Sequence, residues 1–455
     1  MKQLRLFLLL AAGLFLTSCS EPQSDEFPNP DPPPTVGRHA VPIDQALGEL
    51  HDLLGVIDGQ GTRAGGVRTI AQVQTLHAQA LALTRSASEP GEQPEELLYV
   101  VNFEDDAGYA VLGADDRLPG VLAVTDEGSL TTEELVRAAN GQTTPEEFTF
   151  PNEMLMNYVS GIGGIGGGGI GGGGIGGGGI PTGPFTDFDT QLGNPPAGFE
   201  GYEWSDWKNL EYVAPMVTTR WHQEDPFNRH CPVIGGETCV AGCAAIAMAQ
   251  IVASNHLHHN VSPGRIGNIS LNWTLIRQGI IDPDLLNRNS SIANQVALLV
   301  AALGLKLGMN YGVTQSGASI DDAEYCFKYI GYKGVNNHTF RPSYVRTMLW
   351  ERQRPTYVRA VNAQKEGHAW VADGWLYRRR DQYAVIFGKR SDYSVSNQTQ
   401  TLMHCNFGWG GRCDGFYHIG LFNTNEQAVI PDIDYTPVDD DYNGGKRMIT
   451  YTEMY

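Results

Sequence analysis

The chain reads as an α+β protein made of two folded parts, and three features predict this. Residues 40–158 combine an amphipathic helical repeat with short strand patterns, residues 201–455 place helical patterns before strand patterns, and a glycine- and isoleucine-rich tract separates them. A length of 455 residues is enough for two cores. With 41% hydrophobic and 18% charged residues the bulk is globular in composition, while the 55 glycines are explained by one local tract. The net charge of −20 argues against a nucleic-acid partner, because binding phosphates needs clustered Lys and Arg.

The first residues, MKQLRLFLLLAAGLFLTSC, carry Lys2 and Arg5, then an apolar stretch from Leu6 to Leu16, then small residues. That layout predicts an export signal over residues 1–19 rather than a spanning helix. Leu16-Thr17-Ser18-Cys19 resembles a bacterial lipobox, which implies lipidation of Cys19 and a membrane contact through the lipid anchor. Ser20, Glu21, Asp25 and Glu26 resemble the surface-export signals of Bacteroides-type lipoproteins, implying an outer-membrane or cell-surface location. Residues 20–39 are Pro-rich and acidic, a spacer composition that buries no core.

Within 40–158, AVPIDQALGELHDLLG has the 3.6-residue period of an amphipathic helix. ELLYVVNFEDDAGYAVLGADDRLPGVLAVTDEGSL reads as three short strands divided by turn residues. Residues 159–200 form a linker whose centre, 161–180, holds 15 Gly and 5 Ile, with Ile165, Ile170, Ile175 and Ile180 repeating every five. Lone isoleucines cannot make a core, so the tract predicts a flexible, protease-accessible connection spanning about 25 Å.

The third range, 201–455, opens with an apolar helix at 242–254 and a second helical pattern at 291–305. Strands are expected in PTYVRAV, HAWVADGW, QYAVIFG, TLMHCNF, GFYHIGL and RMITYTEM. Cys243 follows Ala241-Gly242 where the first helix begins, and unpaired N–H groups at a helix start favour a thiolate. A cysteine nucleophile needs a distant histidine as general base and a group that orients it. His368 in KEGHAWVADGW supplies the first, and Asn406 in MHCNFGWGG, through its amide oxygen, the second.

The motifs VAPMVTTRWHQEDPFNRHCP, AGCAAIAMAQI, LNWTLI, GHAWVADGW and HCNFGWGGRCDGFYHI, in this order, resemble the streptopain (C10) family of cysteine peptidases. The resemblance covers most of 210–455 and implies a papain-like fold in two subdomains, a helical half and an antiparallel-sheet half, acting without a cofactor or metal on protein or peptide substrates. VVNFEDDAGYAVLGADDRLPGVLAVTDEGSL is similar to the propeptide of that family, which implies a zymogen whose first domain inhibits intramolecularly. By this likeness Cys243 is the nucleophile, His368 the general base and acid, Asn406 the orienting residue and Gln223 the oxyanion-site glutamine. Trp221, Gly242, Gly367, Phe407 and Trp409 are expected along the substrate cleft. Phe407 departs from the family pattern, where Trp follows the Asn. Activating cleavage is expected within 181–215. The alternative reading is a non-catalytic surface lipoprotein that keeps the fold to bind a protein or peptide.

Beyond Cys19, six cysteines remain: Cys231, Cys239, Cys243, Cys326, Cys405 and Cys413. Export permits disulfides, and the pairs Cys231/Cys239 and Cys405/Cys413 each flank a short loop, but spacing does not decide the pairing. His256, His258 and His259 fall at a helix end, where polar and cationic residues are favoured without any metal.

Overall fold

The three strands expected between the first helix and the glycine tract pair in chain order, and a fourth precedes them. The computed structural model describes residues 39–59, 66–81, 96–140, 149–163, 198–361, 367–422 and 446–454. The export signal with Cys19, the spacer up to residue 38 and residues 164–197 of the linker lie outside the described residues. Helix α1 (Ile43–Ile57) buries Ala46, Leu50, Leu53, Leu54 and Ile57, one face at helical spacing. Strands β1 (Ile70–His77), β2 (Glu96–Phe103), β3 (Tyr109–Gly113) and β4 (Val121–Thr125) form an antiparallel meander. Helix α2 (Thr132–Ala139) begins at a capping box: Thr131 Oγ1 accepts the Glu134 N–H, and the Glu134 carboxylate accepts the Thr131 N–H. Helix α3 (Thr149–Gly163) carries three residues into the Gly/Ile tract.

In the remainder of the chain, β5 (Phe199–Trp204) and β6 (Lys208–Val213) precede four main helices: α4 (Cys243–His259), α5 (Trp273–Ile281), α6 (Ser290–Lys306) and α7 (Ile320–Tyr329). The strands that follow are β7 (Asn336–Thr339), β8 (Thr356–Val361), β9 (Gly367–Ile386), β10 (Lys389–Arg390), β11 (Ser396–Asn406), β12 (Gly415–His418) and β13 (Arg447–Thr450). The segments HAWVADGW and QYAVIFG, expected as two strands, are the ends of the single 20-residue β9. RMITYTEM divides into β13 and a short bridge strand, Glu453–Met454.

The thirteen strands β1 to β13 form one sheet, in the order β1-β2-β3-β4-β12-β11-β9-β8-β13-β7, with β5, β6 and β10 also paired to β9, while Glu453–Met454 pairs with Tyr332–Lys333 in a separate small sheet. Residues 40–158 and 201–455, read from the sequence as separate domains, thus meet at β4 and β12, with Val124 opposite Phe416 and Ala123 opposite Tyr417. The described residues from 39 to 454 belong to one compact unit. One apolar cluster joins Leu50, Val101, Leu112 and Val124 to Leu376, Leu402 and Phe416. A second joins Tyr109, Leu135 and Leu155 to Trp370, Phe407 and Tyr417. The helices α4 to α7 cover a third cluster against β8 and β9, so the fold is a mixed α+β arrangement with a helical layer on one part of the sheet. Partly buried Glu49 of α1 adds charge to the junction, facing Arg378 at 3.4 Å and Arg380 at 3.9 Å on β9.

Gly415 lets β4 and β12 approach: a Cβ there would lie 2.5 Å from Thr125 Cα and against the Val124 carbonyl. Gly415→Ala is therefore expected to lower global stability by about 1–3 kcal/mol through overpacking, read as a lower midpoint in denaturant unfolding, while Gly388→Ala, at an open hairpin tip, leaves the strand junction intact.

Candidate active site

α4 is buried along its whole middle, from residue 244 to 255. Its alanines let neighbours come close; a Cβ placed at Gly304 of α6 would touch Ala245. Such a helix is a rigid mount. Gly242 caps its start with φ +86°, and a Cβ there would meet Met309 Sδ at 2.8 Å and the Ser316 carbonyl at 3.1 Å. Both the backbone conformation and the space therefore call for glycine just before Cys243. The Gln223 carbonyl accepts the Ala241 N–H at 2.8 Å, tying the Gln223 segment to the same approach loop.

The half-buried Cys243 thiol sits at the helix start, where the main chain of Ala369, of Ala244 and of Cys243 itself favours its ionised form. Ala369 is the residue after His368 on β9, so sequence positions far apart meet at one spot. Arg359, opposite Ala369 on β8, adds positive charge near the sulfur. Helix start, main chain and guanidinium all favour a thiolate, yet burial outweighs them and pushes the thiol above its ordinary value of 9.0. The lowered thiol pKa expected from the helix start alone is thus corrected: desolvation is the larger effect here.

His368 is enclosed by aromatic rings. Its imidazole stacks on Trp409 at 4.4 Å between centroids, with Phe407 at 6.1 Å and Trp370 at 6.3 Å. Nε2 lies 3.0 Å from the Phe407 carbonyl oxygen, to which it donates. Burial lowers the pKa to about 4 against the pull of that carbonyl. Thiol and imidazole are therefore both held toward their neutral forms, against the thiolate that the helix start alone favours.

Asn406, opposite Val371 on the neighbouring strand, turns toward α4. Its Oδ1 accepts from Gln250 Nε2 at 2.8 Å and from the Gly408 N–H at 3.1 Å, and its Nδ2 donates to the Thr219 carbonyl at 3.0 Å. The imidazole is bonded one residue further on, at Phe407. Trp221 and Phe407 are buried and support the site from beneath, whereas Gly367 and Trp409 are partly exposed. Gly367 lies over Arg359, whose Nη2 would be 2.6 Å from a Cβ.

Sequence reasoning passed over Gln250, Arg359 and Asp414. Gln250 is fully buried two helical turns after Cys243, where its Oε1 accepts from Thr219 Oγ1 at 3.0 Å. An amide interrupting the apolar run from Ala244 to Ala253 was the available signal. His256, His258 and His259 each reach a separate protein partner: Ser262 Oγ, the Met216 carbonyl and the Gln353 carbonyl. The six described cysteines are free thiols.

Residues 221–417 match the model of the Peptidase C10 family. The matched segment carries Cys243, His368 and Asn406. Streptopain from Streptococcus pyogenes is 24% identical over 243 residues, covering 45% of this chain and 54% of streptopain. The chain thus aligns with about half the length of the curated relatives it matches. Two solved structures from Prevotella intermedia are similar. A prointerpain A fragment has a TM-score of 0.45 and 19% identity, covering 83% of this chain and 98% of that one. Active wild-type interpain A has a TM-score of 0.37 and 21% identity, covering 53% and 95%.

Because the His368 pKa is depressed, an unfolded chain binds a proton there that the folded chain refuses between about pH 6.5 and about pH 4. Stability contributed by this site is present above the unfolded value and lost as pH falls through that window. Denaturant midpoints measured at pH 7 and pH 4.5 should fall less for His368→Gln than for the wild type. An equal fall would place the acid sensitivity elsewhere.

Proposed function

We propose that the chain is an exported cysteine endopeptidase made as a zymogen, with Cys243 as nucleophile, His368 as general base and acid, Asn406 as orienting residue and Gln223 as oxyanion donor. The observation that carries this reading is the meeting of the Cys243 thiol, at the tip of a buried helix, with the main chain beside His368. In the reaction His368 takes the thiol proton, and Cys243 Sγ attacks the scissile carbonyl carbon. The oxyanion is received by the Cys243 N–H and the Gln223 amide, donors set in advance around the developing charge. His368 then protonates the leaving amine and afterwards activates water to release the acyl group.

Residues 40–158 act in this proposal as an inhibitory propeptide, and the neutral thiol and imidazole suit a resting state. Cleavage in 181–215 opens the way to activation. Homology to secreted bacterial cysteine peptidases supports an exported location, and anchoring through lipidated Cys19 belongs to the same proposal. Substrates are proteins or peptides.

Wild-type and Cys243→Ala protein lacking the first 19 residues, incubated under mild reducing conditions and followed by gel and mass spectrometry, test the reading. The wild type should trim itself after the Gly/Ile tract and then cleave casein, while the variant loses at least about 1,000-fold in rate, the scale expected for removal of a nucleophile. If both remain intact, and removal of residues 20–200 by an added protease still yields no casein cleavage, the peptidase reading fails.

A further inference from the structure

The turn from Phe407 to Asp414 is a demanding piece of backbone. Gly408, Gly410, Gly411 and Cys413 all have positive φ, at 74°, 74°, 100° and 60°. Glycine-rich chain of this kind loses much conformational entropy on ordering, so its shape needs a fixed closure. The closure is a side chain: Asp414 Oδ1, on a residue 5% exposed, accepts the Phe407 N–H at 2.8 Å across the base of the turn. The same Phe407 peptide presents its carbonyl to His368, and Trp409 inside the turn stacks on the imidazole.

Asp414 is in turn held from the N-terminal part of the chain. Its carbonyl accepts the Asp126 N–H at 2.7 Å. The Asp126 carboxylate meets His404 Nε2 at 3.0 Å, and His404 Nδ1 meets Asp373 Oδ1 at 2.7 Å. Asp373 Oδ2 accepts the Val217 N–H at 2.7 Å. Buried polar groups with such complete partnering fix geometry.

Resting on the peptidase reading above, we propose that Asp414 is a positioning residue for His368, acting through the Phe407 peptide, and that Asp126 seats it only in the intact chain, before the cleavage that removes residues 40–158. The carboxyl closes the turn, the turn fixes both the Phe407 carbonyl and the Trp409 ring, and these two hold the imidazole. Three charged or titratable groups bear on Asp414 directly, His404, Asp126 and Asp373, and Cys405, Cys413 and Tyr417 sense its charge. Burial pushes the Asp414 carboxyl up to about 8, so at neutral pH it accepts the Phe407 N–H as an uncharged acid and ionises in mildly alkaline solution.

The test uses the full chain labelled with carbon-13 at histidine Cε1, with the His368 signal assigned by its loss in His368→Gln. Between pH 5 and 10 the wild-type signal should show an inflection near pH 8. Asp414→Asn, which keeps the acceptor oxygen but cannot ionise, should keep the wild-type shift at pH 6 and lose that inflection. Asp414→Ala should move the signal at pH 6, and among cleaving proteins should lower kcat by about tenfold with KM within about twofold, Asp414→Asn restoring kcat. An unmoved His368 signal in folded Asp414→Ala overturns the proposal, as does a wild-type inflection retained in Asp414→Asn, a comparison that decides the matter if the alanine variant does not fold. The signal is read without substrate, so a chain that cleaves nothing removes the peptidase reading while the titration still judges the link between Asp414 and His368.

Discussion

The pairing of β4 with β12 is the constraint on which the rest depends. It makes one sheet from parts of the chain that are some 300 residues apart in sequence. Gly415 permits the close approach, and the apolar clusters on either face are completed by side chains from both sides of the junction. β12 pairs on its other edge with β11, whose last residues are His404, Cys405 and Asn406. The turn that joins β11 to β12 carries Phe407 and Trp409 to His368. Whatever sets β12 in place therefore also sets the surroundings of the imidazole.

Electrostatics at the site is a contest that burial wins. A helix start, the neighbouring main chain and the charge of Arg359 each favour negative charge on the Cys243 sulfur. Desolvation outweighs them together, and His368 is affected in the opposite sense by the same cause. A pair of neutral groups is a poor nucleophile system, and a change that admits water or shifts an aromatic wall would alter both groups together. The aromatic enclosure of His368 thus carries as much weight as the identity of its hydrogen-bond acceptor.

Much of this architecture was legible in the sequence where periodicity matched burial. α1, α4, α6 and strands β2 to β4 have clean patterns, and the motifs around Cys243, His368 and Asn406 led to side chains that the fold gathers around α4, β9 and β11. β5 and β6 were missed because they are short and only partly buried. β9 was divided in two because Arg378-Arg379-Arg380-Asp381 reads as a polar turn. In the folded chain Arg378 and Arg380 lie against Trp207, and Glu49, 329 residues from Arg378, faces both. Such partners leave no local trace. The same holds for the His368 environment and for Asn406, whose amide oxygen accepts from Gln250 of the buried α4.

The central claim is that burial keeps the Cys243–His368 pair neutral in the intact chain. The rate of Cys243 alkylation by iodoacetamide, quantified by peptide mass spectrometry across pH 5 to 11, tests it directly, since only the thiolate reacts. The account predicts slow reaction near neutrality and a rise governed by an ionisation above 9.0. Fast alkylation of the intact chain at pH 6 to 7, with an inflection well below that value, would contradict it.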